Sequence, residues 1–550
     1  MSVAPPTESS KPTLLDRVES LGNKVPHPVM MFLYLIIFIA VLSHILYLFD
    51  VSVTEEIAVP VAEQDLVDEH GGLGGSDVAY PVYPESPNDD PEYEVVTQTI
   101  PVESLLTVEG IRFIFTSFVS NFAGFTVVAV TLVAMAGVGV AEHAGMMAAL
   151  IRKLVKVAPR QVIAFILIFV GVLSSVASDA GYLILIPLAA AAFLTLGRHP
   201  LAGMAAAFAG VGAIFGVNLL ITPIDSMLTE ITNEALPTGS EPLTVTANFY
   251  FSIVSSIVLA LVAMFVTQRV VEKRLGPYNP GDGASDATTE DLDEAGAAAE
   301  ARGLRFAFYG FLGSVAVVSL LTFPSWAPLR HPETGAIVGT TPFMDSLLFV
   351  ISLIFLICGI FYGMGAKTMS GSGDVITGVT KTFAGLAGLI FMLLMISQFI
   401  AFFNFTNLPR VAAVEMAHIL ERANIGALPL LVGFILVIVV LDFILPGVVP
   451  KWAIFAPVFI PIFVRLGVAP QTVLAAYRVG DSPVNVITPL MVYLPFIVTI
   501  AQRYKRDAGI GTVVALMIPF VIAILIAWIL LFVVWFLFDV PLGPGYPIGA

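Results

Sequence analysis

Two carboxylates stand in sequence that otherwise excludes charge. One is Asp179, in Ser178-Asp-Ala-Gly181-Tyr-Leu-Ile-Leu-Ile-Pro187-Leu188. The other is Asp481, in Gly480-Asp-Ser-Pro483-Val-Asn485-Val-Ile-Thr488-Pro489-Leu490. Each segment joins an acid to helix breakers and places a Pro-Leu pair eight residues after the Asp. A charge in hydrocarbon is expensive unless it faces water or a partner, so such an acid marks function by default. Unwound backbone at a break exposes carbonyls to a cation, and the adjoining half-helix offers N–H groups to an anion. Ser482, Asn485 and Thr488 add hydroxyl and amide oxygens around Asp481. Asp481 with Asn485 and Thr488 is a candidate Na⁺ site, or Asp481 alone is a proton carrier. Arg478, three residues earlier, shares a helical face with Asp481, so the two can pair, as substrate anchor or as a purely structural ion pair. Asp179 has no cation near it in sequence, which suits proton coupling; the alternative is an acid facing an aqueous vestibule with no role.

Other residues are secondary candidates. Asn218, Thr222 and Asp225 form Asn-x-x-x-Thr-Pro-x-Asp and could complete a first-half site, unless Asp225 already lies at the outer boundary. Asn404 and Asn407 flank a polar break and are candidate substrate contacts. Trp452, beside Lys451, is a ring on which an aromatic substrate could stack, or an interfacial anchor. Asp442, and Glu415 with His418, are further polar groups in apolar surroundings.

The elements that must position these residues are membrane helices. Of 550 residues 57% are hydrophobic and 12% charged, with a mean hydropathy of +0.94. A soluble domain carries about 25% charged residues, so this is a polytopic membrane protein. Cys358 is the sole cysteine, which excludes an intrachain disulfide and cysteine-held zinc or iron–sulfur sites. No Walker-type loop is present and nothing suggests nucleic acid. We therefore expect no cofactor beyond a coupling cation, H⁺ or Na⁺. The net charge of −16 arises mainly in two stretches, one of which holds fourteen Asp or Glu and no Lys or Arg between Val51 and Glu109.

Lys and Arg near span ends orient the chain. The expectation is an all-α polytopic protein of about nine transmembrane helices plus two re-entrant helical hairpins in an inverted repeat. Residues 1–28 form a cytoplasmic N-terminal segment, with no cleavage site behind the first span. Residues 29–270 form the first repeat, with a solvated, partly flexible extracytoplasmic acidic loop at 51–109 and a hairpin around 161–197. Residues 271–303 form a cytoplasmic linker and 304–538 the second repeat, with its hairpin around 451–490. Gly181, Pro470, Gly480, Pro483 and Pro489 are the expected break residues. Residues 539–550 are an extracytoplasmic tail, and Lys367–Lys381 reads as an interfacial Gly/Ser-rich stretch.

Several longer motifs resemble a known family. These are Lys451-Trp-Ala-Ile-Phe-Ala-Pro-Val-Phe-Ile-Pro461, Tyr477-Arg-Val-Gly-Asp-Ser-Pro483 with Ile487-Thr-Pro489, and Gln502-Arg-Tyr-Lys-Arg-Asp507. Leu15–Pro28, Gly137-Val-Gly-Val-Ala-Glu142 and Ser174-Ser-Val-Ala-Ser-Asp-Ala-Gly-Tyr182 belong with them. Together, over nearly the whole chain, they resemble the p-aminobenzoyl-glutamate transporter (AbgT) family. The resemblance implies a dimeric bacterial inner-membrane protein with nine transmembrane helices, two hairpins and a water-filled basin reaching midplane. It implies ion-driven import of p-aminobenzoyl-glutamate or export of sulfonamides. The matching functional positions are Asp179, Trp452, Pro470, Arg478, Asp481 and Pro489. One departure concerns the small hydroxyl residues the family carries before Lys-Trp; this chain has Pro446-Gly-Val-Val-Pro450, so a substrate hydrogen bond near Val449 is missing and substrate identity stays open.

The leading expectation is a cation-coupled secondary transporter. Arg478 would bind a carboxylate or sulfonyl group, Trp452 would stack on the ring, and Asp179 and Asp481 would couple the ion. A dicarboxylate or other organic anion is an alternative cargo. An intramembrane aspartyl protease is the alternative from another class, opposed by Arg478, whose charge would hold Asp481 ionised rather than let a dyad share a proton.

Overall fold

The computed structural model describes residues 28–60, 93–156, 159, 162–177, 181–237, 239–279, 294–338, 341–423, 426–443, 445, 447–488 and 491–549. Asp179 and Pro489 lie outside the described residues, as do 1–27, most of the acidic loop and residues 280–293 of the linker. The first helix is α1 (Pro28–Leu48). It is followed by β1 (Ser52–Pro60) and β2 (Tyr93–Pro101), then α2 (Val108–Ala123), α3 (Thr126–His143), α4 (Met146–Lys156) and α5 (Ile163–Ser174). The first half closes with α6 (Gly181–Thr195), α7 (Pro200–Ala213), α8 (Pro223–Glu234) and α9 (Phe249–Leu275). The second half runs α10 (Glu294–Thr322), α11 (Pro342–Ala366), α12 (Ser372–Gly385), α13 (Ala387–Phe405), α14 (Leu408–Ala423) and α15 (Ala427–Asp442). It ends with α16 (Val448–Arg465), α17 (Pro470–Asp481), α18 (Leu494–Tyr504) and α19 (Ile510–Leu537).

Among the described residues, eight helical segments are long and apolar enough to cross a membrane. Four apolar helices, α5, α6, α7 and α15, are shorter than the roughly twenty residues a span requires. Irregular backbone at membrane depth survives only where protein or a cavity surrounds it, and these short helices surround one place. In the first half α5 and α6 are joined through 175–180, and α7 is separated from α8 by the unwound stretch 214–222. In the second half α15 and α16 are joined through 443–447, and α17 is separated from α18 by a 3₁₀ turn (Pro483–Val486) and following coil. The rings of Phe434 and Phe459 meet at 4.7 Å across α15 and α16. The hairpin expected around 451–490 is therefore displaced. Its arms are α15 and α16, its tip carries Gly447 at φ +91°, and Asp481 sits at the break of a discontinuous helix. The connection between α16 and α17 is the turn through Gly467 (φ +73°).

Hairpin and broken helix touch through matching glycines. A Cβ on Gly210 of α7 would lie 2.3 Å from the Ile168 carbonyl of α5, and one on Gly480 of α17 would lie 2.7 Å from the Ile435 carbonyl of α15. Small residues let membrane helices close to backbone contact, and packing there has no hydrophobic reserve to absorb a clash. Gly210→Ala and Gly480→Ala are each expected to destabilise by about 1–3 kcal/mol, the usual effect of overpacking. A lower thermal midpoint in detergent would show it; an unchanged midpoint in both would mean these crossings are looser than described.

Two further expectations change. The acidic loop 51–109 is not merely solvated chain, and the protein is not wholly α: β1 and β2 form an antiparallel ribbon from Ser52↔Pro101 to Pro60↔Tyr93. Their β-branched residues suit a half-buried pleat, and paired Val53 and Ile100 are buried at 4% and 3% exposure. The ribbon's end is fastened to the α13–α14 turn by Glu103 N–H donating to Thr406 O. The interfacial stretch 367–381 is largely helix, because Asp374 caps α12. The Ser370 N–H and hydroxyl donate to its carboxylate at 2.6 and 2.9 Å, and Gly371 N–H adds a third bond. These bonds, the Ser370 backbone bond first, hold the Asp374 carboxyl below the usual carboxylate range.

The molecule has two chemically distinct ends. At one, Arg198 pairs with Glu272 and Arg152 with Glu300, while Tyr278 packs edge-on against His199 and Tyr504. At the other, Tyr250 and Phe251 N–H groups donate to Leu542 O, and Gln471 and Thr472 side chains donate to Pro547 and Ile548 carbonyls. The two helix breaks meet between these ends, where the last turn of α7 packs on the 3₁₀ turn after Asp481.

Candidate functional site

Arg478 lies one turn before the end of α17 and is 3% exposed. The sequence places it on one face with Asp481, but the two do not pair. Arg478 Nη1 donates to the Gly216 carbonyl at 3.0 Å and makes an ion pair with Asp225. Both partners belong to the first-half break. Gly216 supplies a carbonyl that the unwound backbone has left without a helical donor, and Asp225 closes the capping box of α8. Its Oδ2 accepts the Thr222 N–H and hydroxyl, both at 2.7 Å. One carboxylate thus starts a helix and neutralises an arginine from the other half. Arg478 Nε is buried with no hydrogen-bond partner.

Asp481 turns the opposite way. Its Oδ1 accepts from Lys451 Nζ at 2.6 Å and from the Tyr477 hydroxyl at 3.1 Å. The same ammonium makes an ion pair with Asp442, the last residue of α15. Lys451, Asp442 and Asp481 are 1%, 2% and 1% exposed. The Tyr477 hydroxyl also donates to Val448 O at 2.6 Å. In this conformation Asp481 is paired with the Lys451 ammonium. Among the described residues no group of three His, Cys, Asp or Glu is placed to hold a metal.

The remaining sequence candidates divide between this centre and other places. Trp452 is fully buried; its indole N–H donates to Thr232 Oγ1 at 3.0 Å and approaches Leu228 O at 3.2 Å, and its ring lies 4.5 Å from that of Tyr477. Its faces are occupied by protein, so it fastens α16 to α8. Asn218 Nδ2 donates to Val172 O and Ser175 Oγ, both at 2.8 Å, which ties the first break to the first hairpin. Ser482 Oγ packs against Gly216, where a Cβ would lie 2.1 Å from it, and has no hydrogen-bond partner. Asn485 Nδ2 reaches Gly212 O at 3.4 Å, and Thr488 is buried nearby on the same strand of coil. Pro470 opens α17, Pro483 opens the 3₁₀ turn, and Gly181 is buried at the start of α6. Asn404 and Asn407 are elsewhere. Asn404 is exposed and Asn407, at φ +56°, donates to Pro101 O, so both serve the α13–α14 turn under the ribbon. Glu415 and His418 are exposed.

Lys451 is the residue the sequence reading passed over, noticed only as the neighbour of Trp452. The sequence also holds a signal that links the two breaks. Val217-Asn-Leu-Leu-Ile-Thr-Pro223 matches Val484-Asn-Val-Ile-Thr-Pro489 with one residue inserted, and these are the two helix breaks.

Two cavities approach the centre from opposite ends. One, about 940 Å³, opens toward the C-terminal segment and is lined by Glu230, Asn233, Glu241, Asp345, Gln471 and Tyr546. The other, about 720 Å³ and mostly apolar, lies beside Lys153 and Arg305 and ends on Leu220 and Ile221. Between them a crevice of about 10 Å³ touches Asp225 and Arg478, with room for roughly one water. Leu220 and Ile221 wall this crevice from the apolar cleft, and Val245 walls it from the wide vestibule. The ion pair sits between the two cavities, with the Asp225 side chain 13% exposed.

The chain as a whole has counterparts among known proteins. Residues 13–549 match the AbgT putative transporter family. The chain is 31% identical over 545 residues to the p-aminobenzoyl-glutamate transport protein of Escherichia coli (strain K12), covering 98% of each. The YdaH transporter of Alcanivorax borkumensis, described as having an unusual topology, is similar at TM-score 0.82 and 34% identity, over 94% of this chain and 100% of its own. MtrF of Neisseria gonorrhoeae, described with a class of antimetabolite efflux pumps, is similar at TM-score 0.82 and 35% identity, over 97% and 100%.

Proposed function

Because the chain belongs to the AbgT putative transporter family and is thus a multi-pass membrane transporter, we propose that it moves p-aminobenzoyl-glutamate or a related aromatic anion, driven by an ion gradient. The observation that carries this reading is the Arg478–Asp225 pair, set where two helix breaks meet and between a cavity on either side. A guanidinium is the side chain suited to two-point binding of a carboxylate. An anionic substrate would exchange with Asp225 for the Arg478 fork, and the unpartnered Nε supplies a donor for it. Cavities of this size accommodate a small organic molecule. Opening Leu220 and Ile221, or Val245, would present the same arginine to one end at a time, the pattern of broken-helix transporters. Following the positive-inside rule, the end with Arg152, Lys153 and Arg198 faces the cytoplasm of a bacterial inner membrane.

The test is uptake of labelled p-aminobenzoyl-glutamate into proteoliposomes, with proton and Na⁺ gradients imposed separately and Asp481→Asn as control. Flux under one gradient, absent in the variant, is the expected result and identifies the coupling ion. Folded wild-type protein giving no flux under either gradient would retire this cargo in favour of sulfonamides and then dicarboxylates.

A further inference from the structure

Arg478 and Asp225 balance each other, but the neighbouring cluster does not balance. Lys451 brings one positive charge to the carboxylates of Asp442 and Asp481. With all three ionised the cluster holds one net negative charge, and each of its side chains is at most 3% exposed. Burial at this depth is relieved by taking up a proton rather than by sustaining the charge. Among the described residues, the elements packed on the cluster bring it no other cation: α8 adds only acids, and Arg410 of α14 is exposed. On α17, Arg478 is committed to Asp225, and Tyr477 brings only its hydroxyl. The next cation along α16 is Arg465 at its far end. Neither α19 nor the 3₁₀ turn, which pack on α15, has an ionisable side chain. On α14, Glu415 and His418 face outward.

The geometry also separates the two carboxylates. Asp481 is covered on its Oδ1 by Lys451 and Tyr477. Asp442 Oδ2 is buried with no hydrogen-bond partner, an arrangement an ionised carboxylate tolerates poorly. Asp442 also ends its helix directly before Phe443, which is exposed. We propose that the Asp442–Lys451–Asp481 cluster is a proton-binding site, and that Asp442 takes up and releases its exchangeable proton. An O–H bond forms on the Asp442 carboxylate with a proton from water; Lys451 then answers to Asp481 alone, three residues from Arg478 on the same short helix. The protonation stands on the cluster's own geometry, while its use in driving flux rests on the transporter reading above.

The test is infrared difference spectroscopy of the purified full-length protein across a pH titration, following the C=O stretch of a protonated buried carboxyl. A titrating band in the wild type that is missing in Asp442→Asn is expected. The same band persisting in Asp442→Asn, or no such band in the wild type, overturns the assignment. Asp442→Asn leaves one ammonium facing one carboxylate and should fold. If it does not, Asp442→Glu keeps the carboxyl and must move the titration midpoint; an unmoved midpoint overturns the proposal as well. Flux under a proton gradient is measured beside it. A band lost in Asp442→Asn while wild-type protein moves no p-aminobenzoyl-glutamate supports the proton site and retires that cargo, so the two fail separately.

Discussion

Arg478→Gln is expected to abolish gradient-driven flux, and Arg478→Lys to restore little of it. Glutamine leaves Asp225 buried opposite a neutral amide, and breaking a buried ion pair from one side destabilises by about 3–5 kcal/mol. That loss alone would confuse a transport defect with a folding defect. The paired variant Arg478→Gln with Asp225→Asn separates them, because it removes both charges together. It is expected to recover most of the thermal stability lost by Arg478→Gln and none of the flux. Lysine keeps the charge but lacks the planar fork that spans Asp225 and the Gly216 carbonyl. Flux per folded molecule in proteoliposomes, read beside the thermal midpoint, distinguishes the possibilities. Wild-type flux from the doubly neutral variant would show that Arg478 only holds the two halves together.

Lys451→Met is expected to destabilise the second half strongly. It leaves Asp442 and Asp481 buried side by side with no cation on either. Like charges in a low-dielectric site cannot both ionise, and the uncompensated charge costs about 3–5 kcal/mol. The triple variant Asp442→Asn, Lys451→Met, Asp481→Asn has no charge to bury and should fold at least as well as the wild type, as neutral replacements of buried ion clusters often do. Thermal unfolding in one detergent at one pH compares the three proteins directly. A Lys451→Met midpoint equal to that of the wild type would mean water reaches this cluster freely, which its burial argues against.

The break residues show how far sequence could go. Asp481, Gly480 and Pro483 stood out because polar groups and helix breakers are rare in apolar sequence, and that rarity is a local property. Asn218, Thr222 and Asp225 were visible for the same reason; the α8 cap brings Thr222 and Asp225 to Arg478, while Asn218 bonds back to α5. The segment around Asp481 reads as a hairpin tip because Gly480 and Pro483 flank it, whereas the structure puts Asp481 at the end of α17 before a 3₁₀ turn, and α16 runs unbroken through Pro457 and Pro461. Proline inside a membrane helix is tolerated when neighbouring groups satisfy the freed carbonyls, so its presence alone did not locate the turn. The ribbon of β1 and β2 was hidden by the acidity of the loop it brackets.

By itself the sequence determined the membrane class, the family motifs and the residues whose chemistry needs explaining. These follow from transfer free energies, which act residue by residue and leave their mark in composition and spacing. Only the tertiary structure decided which charge answers which. Arg478 and Asp481 are three residues apart on one helix, yet one is neutralised from the first half by Asp225 and the other by Lys451. Partners of a buried charge are chosen by who is within reach after packing, at distances of a few ångströms, and the pairs formed here join residues up to 253 positions apart. Spacing along the chain cannot fix such a choice, because it is made where two broken helices from opposite repeats come together.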